Sequence, residues 1–276
     1  MRELVVISGK GGTGKTSVTA SLAVLAGNAV LADCDVDAAD LHLILSPQVR
    51  ERHDFFSGNE AVIRQADCVA CGGCLAHCRY GAVRMDGRGA GDAVFTIDPA
   101  ACEGCGVCVR FCPVGAIDFP ERNCGVWMVS DTRCGPLVHA RLGTAAENSG
   151  KLVSTVRREA ARVAGEQGRE LVIVDGSPGI GCPVIASMSG ATMALIVTEP
   201  SVSGLSDLKR IVRTAQIFHT PPAVCVNKAD VNAELSGQIE RFCVDEGIPF
   251  VGRIPFDTQA IHAVNAGLTI ADTECP

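Results

Sequence analysis

The chain has 276 residues, 47% of them hydrophobic and 20% charged, with a formal net charge of -7 and 15 cysteines. That length suits one large or two smaller domains with an ample core, and the negative balance argues against a nucleic-acid-binding surface. No apolar run approaches the length needed to cross a bilayer, and no charged start followed by an apolar stretch marks a signal peptide. The expected setting is therefore cytoplasmic and away from the membrane, where thiols stay reduced and metal ligation explains the cysteines better than disulfides do. Aromatic residues make up only 4%, so the core is expected to rest on Val, Ile, Leu and Ala.

The first apolar run, residues 4–7, reads as a strand, and a helical pattern follows at 15–25. Between them, Ser8-Gly9-Lys10-Gly11-Gly12-Thr13-Gly14-Lys15-Thr16 satisfies G-x-x-x-x-G-K-[ST] through Gly9, Gly14, Lys15 and Thr16. Glycines let backbone N–H groups turn inward around phosphate oxygens, and the helix N-terminus adds a favourable dipole. The motif places Lys15 on the β- and γ-phosphates and the Thr16 hydroxyl on Mg²⁺, with Gly11, Gly12, Thr13 and Ser17 completing the cradle. A second strand, 29–32, runs into Asp33-Cys34-Asp35-Val36-Asp37. Carboxylates just past a strand end can hold Mg²⁺ and orient an attacking water. Asp35 is the candidate, while Asp37 and Asp40 read equally well as surface acids.

Strand–helix alternation breaks between 61 and 119, where cysteines, glycines and short turns dominate. Cys68-x₂-Cys71-x₂-Cys74-x₃-Cys78 is followed by Cys102-x₂-Cys105-x₂-Cys108-x₃-Cys112-Pro113. These are two copies of the bacterial ferredoxin run, in which the fourth cysteine of each run ligates the other cluster. One [4Fe-4S] cluster is expected on Cys68, Cys71, Cys74 and Cys112, the other on Cys102, Cys105, Cys108 and Cys78. Zinc, the rival metal, leaves the eight-cysteine spacing unexplained. Arg79 stands in the first run where the second has Pro113. An insertion (61–119, small α+β) within one discontinuous domain (1–60 and 120–276) fits better than two domains in tandem.

Beyond the insertion the alternation resumes, with helical patterns at 150–164, 204–218 and 233–245 and apolar strands at 171–174, 194–197 and 223–226. Continuous apolar runs fit strands buried on both faces, so the expected class is α/β with a doubly wound, mainly parallel sheet of the P-loop NTPase type. The strand 171–174 ends in Asp175, followed by Gly176-Ser177-Pro178-Gly179-Ile180-Gly181. A strand ending in an acid, paired with the phosphate loop, reads as the Mg²⁺-supporting segment.

Lys10-Gly11-Gly12-x-Gly14-Lys15-Thr16 resembles the deviant phosphate loop of the family containing the MinD cell-division ATPases, the Mrp-type iron–sulfur carriers and the nitrogenase iron protein. The resemblance spans essentially the whole chain. It includes Glu147-Asn148-Ser149-Gly150-Lys151-Leu152, the stretch 179–186 and Thr198-Glu199-Pro200. It implies that Lys10 reaches across a nucleotide-sandwich homodimer to the partner's phosphates, and that Asp35 lies in the first switch. It further implies that Asp175 supports Mg²⁺ through water and that Gly179 offers its N–H to the γ-phosphate. Asn227-Lys228-x-Asp230 resembles the base-contacting segment, placing Asn227 near the purine with Pro255 close by. The family's nucleotide is usually ATP, although this spacing also occurs in guanine binders.

Three functions follow from the resemblance and the cysteines together. One is ATP-driven electron transfer or cluster assembly on a partner metalloprotein; another is a cluster carrier or scaffold with ATP-gated release; the third is a positioning ATPase with structural clusters. Cys182, seven residues beyond Asp175, reads either as a thiol of the kind that binds a shared cluster or as core packing. Cys124 and Cys134 flank an expected hairpin at 130–133 and read as packing, ahead of the alternative that they hold a transferred metal at the dimer face. Cys34, Cys225 and Cys243 read as core, and Cys275 as exposed. MinD proteins bind membranes through a C-terminal amphipathic helix; the short acidic stretch 267–276 is not expected to act as one, so membrane placement is disfavoured.

Overall fold

A computed structural model of the chain describes residues 1–87, 93–143 and 149–273. Cys275, Glu147 and Asn148 lie outside the described residues. In chain order the elements begin with β1 (Arg2–Ser8), α1 (Lys15–Ala26), β2 (Ala29–Asp33), α2 (Leu41–Leu45) and β3 (Gln48–Asn59). The cysteine-rich stretch holds β4 (Val62–Ile63), α3 (Gly73–His77), β5 (Val83–Asp86), β6 (Val94–Ile97), α4 (Val107–Arg110) and β7 (Ile117–Asp118). Next come β8 (Glu121–Thr132), β9 (Gly135–Leu142), α5 (Ser149–Glu166), β10 (Leu171–Pro178), α6 (Cys182–Met188) and β11 (Met193–Thr198). The chain finishes with α7 (Val202–Ile217), β12 (Pro222–Asn227), α8 (Ala233–Asp245), β13 (Phe250–Ile254) and α9 (Thr258–Asn265).

The chain divides into two compact units. The first comprises Met1–His53, Val126–Arg141 and Ser149–Pro276. Its sheet runs in the order β13-β12-β11-β1-β10-β2-β9-β8-β3. Strand β1 is parallel to both neighbours, with Val5 opposite Val174 on one side and Ala194 on the other. The next register sets Asp33 opposite Asp175, which is why two acids meet at the ends of β2 and β10. Burial on both faces demands the unbroken apolar runs seen in the sequence, and Val5, Val6, Ile7, Val30, Leu31 and Val174 are all fully buried. Helix α5 buries Leu152, Val153, Val156, Ala160 and Val163 and leaves its arginines outside that stripe.

Three further strands of this sheet lack the Val/Ile/Leu runs that mark the central ones. Strand β3 sits at the edge, and its first seven residues, from Gln48 to Asp54, are exposed. An edge strand needs only one paired side and no buried face, so a polar sequence suffices. Strands β8 and β9 form the hairpin expected around 130–133, with Arg133 and Cys134 as its turn. The Thr132 hydroxyl accepts from the Cys134 N–H and donates to the Gly135 carbonyl, which closes the turn.

On adjacent strands of that hairpin, Ser130 Oγ lies 2.8 Å from His139 Nε2. Burial, with the His42 charge nearby, lowers the His139 pKa to about 4. The unfolded chain therefore binds more protons than the folded one between about pH 4 and 6.5, and stability is lost as pH falls through that window. The full effect is roughly 3 kcal/mol by this linkage. His139→Gln should flatten the acid limb of a urea-denaturation pH profile; an unchanged limb would show that the imidazole is not held neutral.

The second unit comprises Asp54–Gly125 and Leu142–Asn148, so its limits fall inside β3 and β8 rather than at 61 and 119. Its strands pair as two antiparallel ladders, β4 with β7 and β5 with β6. Ile63, Ala82, Val83, Phe95 and Ile117 form a small core with Cys74 and Cys102. Cys68, Cys78, Cys108 and Cys112 pack against it.

Candidate nucleotide site and cysteine cavities

The carboxyl ends of the parallel strands converge on the loop after β1, the usual place for a ligand in an open α/β sheet. Gly14 caps α1 with φ of 88°, and a Cβ there would run into the Asn227 amide. That amide donates to the Thr13 carbonyl (2.8 Å), and the Lys228 ammonium donates to the Gly12 carbonyl (3.0 Å). Asn227 Oδ1 accepts the Lys228 N–H. Asn227 thus braces the phosphate loop through its Nδ2 end, while its Oδ1 end fixes the start of the Lys228 turn. Asp230 likewise accepts the Phe256 N–H, fastening the turn that carries the exposed Pro255.

Lys15 is 5% exposed, with its ammonium 2.8 Å from Asp175 Oδ1 and 3.3 Å from Asp35 Oδ2. Burial opposes the charge, but Asp175 and Asp35 hold the lysine above its ordinary pKa. Asp175 also accepts from Thr16 Oγ1 (2.8 Å) and Thr19 Oγ1 (2.9 Å). Thr19 went unnoticed in the sequence, although it lies one helical turn beyond Thr16 and shares its face. Asp33, fully buried, accepts the backbone N–H groups of Asp35 and Leu41 and so shapes the turn that presents Asp35. Burial and then the Asp175 charge push the Asp33 carboxyl well up; burial does the same, less strongly, to Asp35. Asp37 and Asp40 are exposed and make no approach to Lys15.

Gly11 and Gly12 are exposed on the loop, and Ser17 lies in the first turn of α1. Gly9 approaches Asp207 so closely that a Cβ would collide with it. The Gly179 N–H donates to the Ser8 carbonyl (2.8 Å), so in this arrangement it serves the chain rather than a phosphate. Lys10 turns to Glu199 at 2.5 Å. Thr13 Oγ1 is buried without a hydrogen-bond partner, and lies in a loop of glycines beside a buried lysine. An orphaned donor there fits a phosphate oxygen, and the Thr16, Asp35 and Asp175 oxygens are the hard donors Mg²⁺ takes.

Within the second unit, eight cysteines line two cavities. One, of ≈ 330 Å³ counting its opening, has Cys68, Cys71, Cys74 and Cys112 in its wall. The other, of ≈ 360 Å³, has Cys78, Cys102, Cys105 and Cys108. Each therefore takes three cysteines from one run and the last from the other. The strand pairing produces this exchange. Strand β4 precedes the first run yet pairs with β7, which follows the second; β5 follows the first run and pairs with β6, which precedes the second.

Backbone conformation repeats between the halves. Gly72 and Gly106 open α3 and α4 with φ of 73° and 71°, and Ala70 and Gly104 precede them with φ of 53° and 62°. Ala70 thus holds a left-handed conformation that its counterpart leaves to glycine. The Ala116 N–H donates to Cys112 Sγ at 3.3 Å. Burial raises the Cys78 thiol, but backbone N–H groups of Tyr80, Ala82, Val83 and Gly81 outweigh it and leave the thiol below its ordinary pKa. No group of three or more His, Cys, Asp or Glu among the described residues gathers around a single ion position.

The other thiols separate cleanly. Cys34, Cys225 and Cys243 are buried, as core cysteines should be. Cys124 is buried and donates to the Ser57 carbonyl; Cys134 is buried in the β8–β9 turn. Cys182 is exposed at the start of α6, which removes the core-packing reading.

The model of the CobQ/CobB/MinD/ParA nucleotide-binding domain matches residues 4–270. The chain belongs to that family. It is 35% identical over 233 residues to an uncharacterized protein of Methanocaldococcus jannaschii, covering 83% of this chain and 79% of that protein. An iron-sulfur cluster carrier protein of Pyrococcus horikoshii is 28% identical over 115 residues, 37% of this chain and 38% of the carrier. The septum site-determining protein MinD of Pyrococcus horikoshii, solved with Mg-ADP, superposes with a TM-score of 0.52 at 18% identity. That match covers 97% of this chain and 86% of the solved one. Family membership accounts for the sheet order and for the phosphate loop at its centre. No helix among the described residues is long and apolar enough to cross a membrane.

Proposed function

We propose that the chain is an ATP-hydrolysing, homodimeric iron–sulfur protein that couples nucleotide binding to electron transfer or cluster assembly on a partner protein. The observation that carries the iron–sulfur half is the exchange of Cys78 and Cys112 between the two cavities. Four thiolates around a zinc ion each stand about 2.3 Å from one centre. A cubane spreads its four thiolates over a larger body, and four cysteines around each of two separate hollows fit that demand. When bound, such clusters accept and donate single electrons.

The residues of the first unit divide the ATP chemistry among them. Lys15 meets the β- and γ-phosphates from a buried position where its charge is little screened, and the loop amides and Thr13 hydroxyl bind phosphate oxygens. Thr16 and Asp175 are the Mg²⁺ side, with Thr19 fixing the Asp175 carboxylate. Asp35 orients the attacking water, and Asp33 holds the Asp35 turn in place. The Mg-ADP in the MinD relative supports ATP with Mg²⁺ as the substrate form. The cluster-carrier relative favours a second reading, delivery of clusters with ATP-gated release.

Anaerobic purification followed by iron and acid-labile sulfide analysis tests the cluster assignment. Two cubanes require about eight irons and eight sulfides per chain. Stoichiometric zinc, or protein free of both elements after anaerobic reconstitution, would refute it.

A further inference from the structure

Lys10 follows the first glycine of the phosphate loop, yet its ammonium is turned back onto its own chain. It lies 2.5 Å from Glu199 Oε1 and donates to Ser203 Oγ (3.0 Å) and Ser201 Oγ (3.4 Å). Glu199 follows β11, and Ser201 caps α7 by accepting the Gly204 N–H. The second Glu199 oxygen lies 3.8 Å from Lys228 Nζ, the ammonium already bonded to the Gly12 carbonyl. One carboxylate thus sits between two lysines of the phosphate-loop region. The Lys10 and Glu199 side chains are 33% and 22% exposed, so the pair can open without disturbing the core.

We infer that Glu199 is a positioning residue: it holds Lys10 on its own chain and must release it before Lys10 can reach a phosphate across the dimer interface. The inference rests on the ATP-dependent homodimer proposed above. The three N–H donors of the Lys10 ammonium already meet Glu199, Ser203 and Ser201, so serving a phosphate on another chain means giving up partners on its own. The Gly9–Asp207 approach keeps the loop beside α7, so release falls to the Lys10 side chain. Partly exposed ion pairs hold by a factor of about 2–5. A symmetric dimer requires two releases, so the factors multiply to about 4–25-fold in the dimer equilibrium.

The test measures dimerisation of the full chain by sedimentation, with a non-hydrolysable ATP analogue and Mg²⁺. Glu199→Gln should tighten the dimer by about 4–25-fold, with the thermal midpoint of the monomer unchanged. Glu199→Asp, which keeps the charge, should stay nearer the wild type. In a Lys10→Ala background, whose dimer is weaker from the start, Glu199→Gln should change nothing. Ser203→Ala, which removes a milder Lys10 partner, should shift the dimer in the same direction by less. Normal analogue binding with no tightening in Glu199→Gln and Ser203→Ala would overturn the inference alone, as would equal tightening without Lys10. A wild-type chain that binds no analogue would overturn the ATP reading and this inference with it.

Discussion

Replacing Cys68 and Cys112 together by serine should remove one cluster and leave the other intact, whereas replacing Cys68 and Cys78 together should damage both. The first pair lines a single cavity; the second pair draws one residue from each. If each run closed on its own cluster, the outcomes would be reversed, because Cys68 and Cys78 belong to the same run. Iron should fall by about half in the first variant and to a small residue in the second, after anaerobic preparation. The second unit should also lose stability with its clusters. Its core is small, and six of the eight cysteines lie within it or pack against it, so bound metal would supply folding free energy that few apolar side chains replace. Far-ultraviolet circular dichroism of the Cys68/Cys78 variant checks this second expectation. Equal iron loss in both double variants would refute the exchanged ligand sets.

Lys15→Met should abolish nucleotide turnover, a loss of at least about 100-fold, and should also weaken the fold. The ammonium is buried between Asp175, which is fully buried, and Asp35, with Asp33 in the same cluster. Removing the one cation leaves those acids uncompensated, a defect that costs about 3–5 kcal/mol for a buried pair. Its pH dependence has a definite sign. Burial already raises the Asp33 carboxyl well above, and the Asp35 carboxyl above, its ordinary pKa, and without Lys15 both rise further. The folded variant then binds more protons than the unfolded chain above about pH 4, so its stability falls as pH rises. Denaturation of Lys15→Met at pH 5 and pH 8 should show the variant weaker at pH 8. Adding Asp175→Asn should restore stability without restoring turnover, which separates the folding role from the chemistry. Turnover close to wild type in Lys15→Met would sink the site assignment.

The parts legible in the sequence are those whose chemistry fixes residue type at fixed spacing. A phosphate loop needs Gly14 at a left-handed cap beside Asn227, and the following Lys15 and Thr16 both meet Asp175. Ligand spacing assigned the cysteines to two sets of four, and the cavity walls contain those same sets. Long-range partnerships were not legible. Nothing local marks Asn227 as a brace for Thr13 or Glu199 as the partner of Lys10, because such pairs form only once β11 pairs with β1 and β12 with β11. Strand β3 gives no signal for a different reason: pairing through the backbone tolerates polar side chains at a sheet edge, so periodicity is silent there. Thr19 and Asp33 lay within reach, since each neighbours a motif residue on the same helix face or strand end.

The most direct test of the central claim is a redox titration of anaerobically purified protein, followed by EPR, with and without ATP and Mg²⁺. Coupling between the two units predicts two reducible cubane signals per chain and a nucleotide-dependent shift in at least one midpoint potential, absent in Lys15→Met. Identical potentials and line shapes in both states, with nucleotide shown to be bound, would contradict the account.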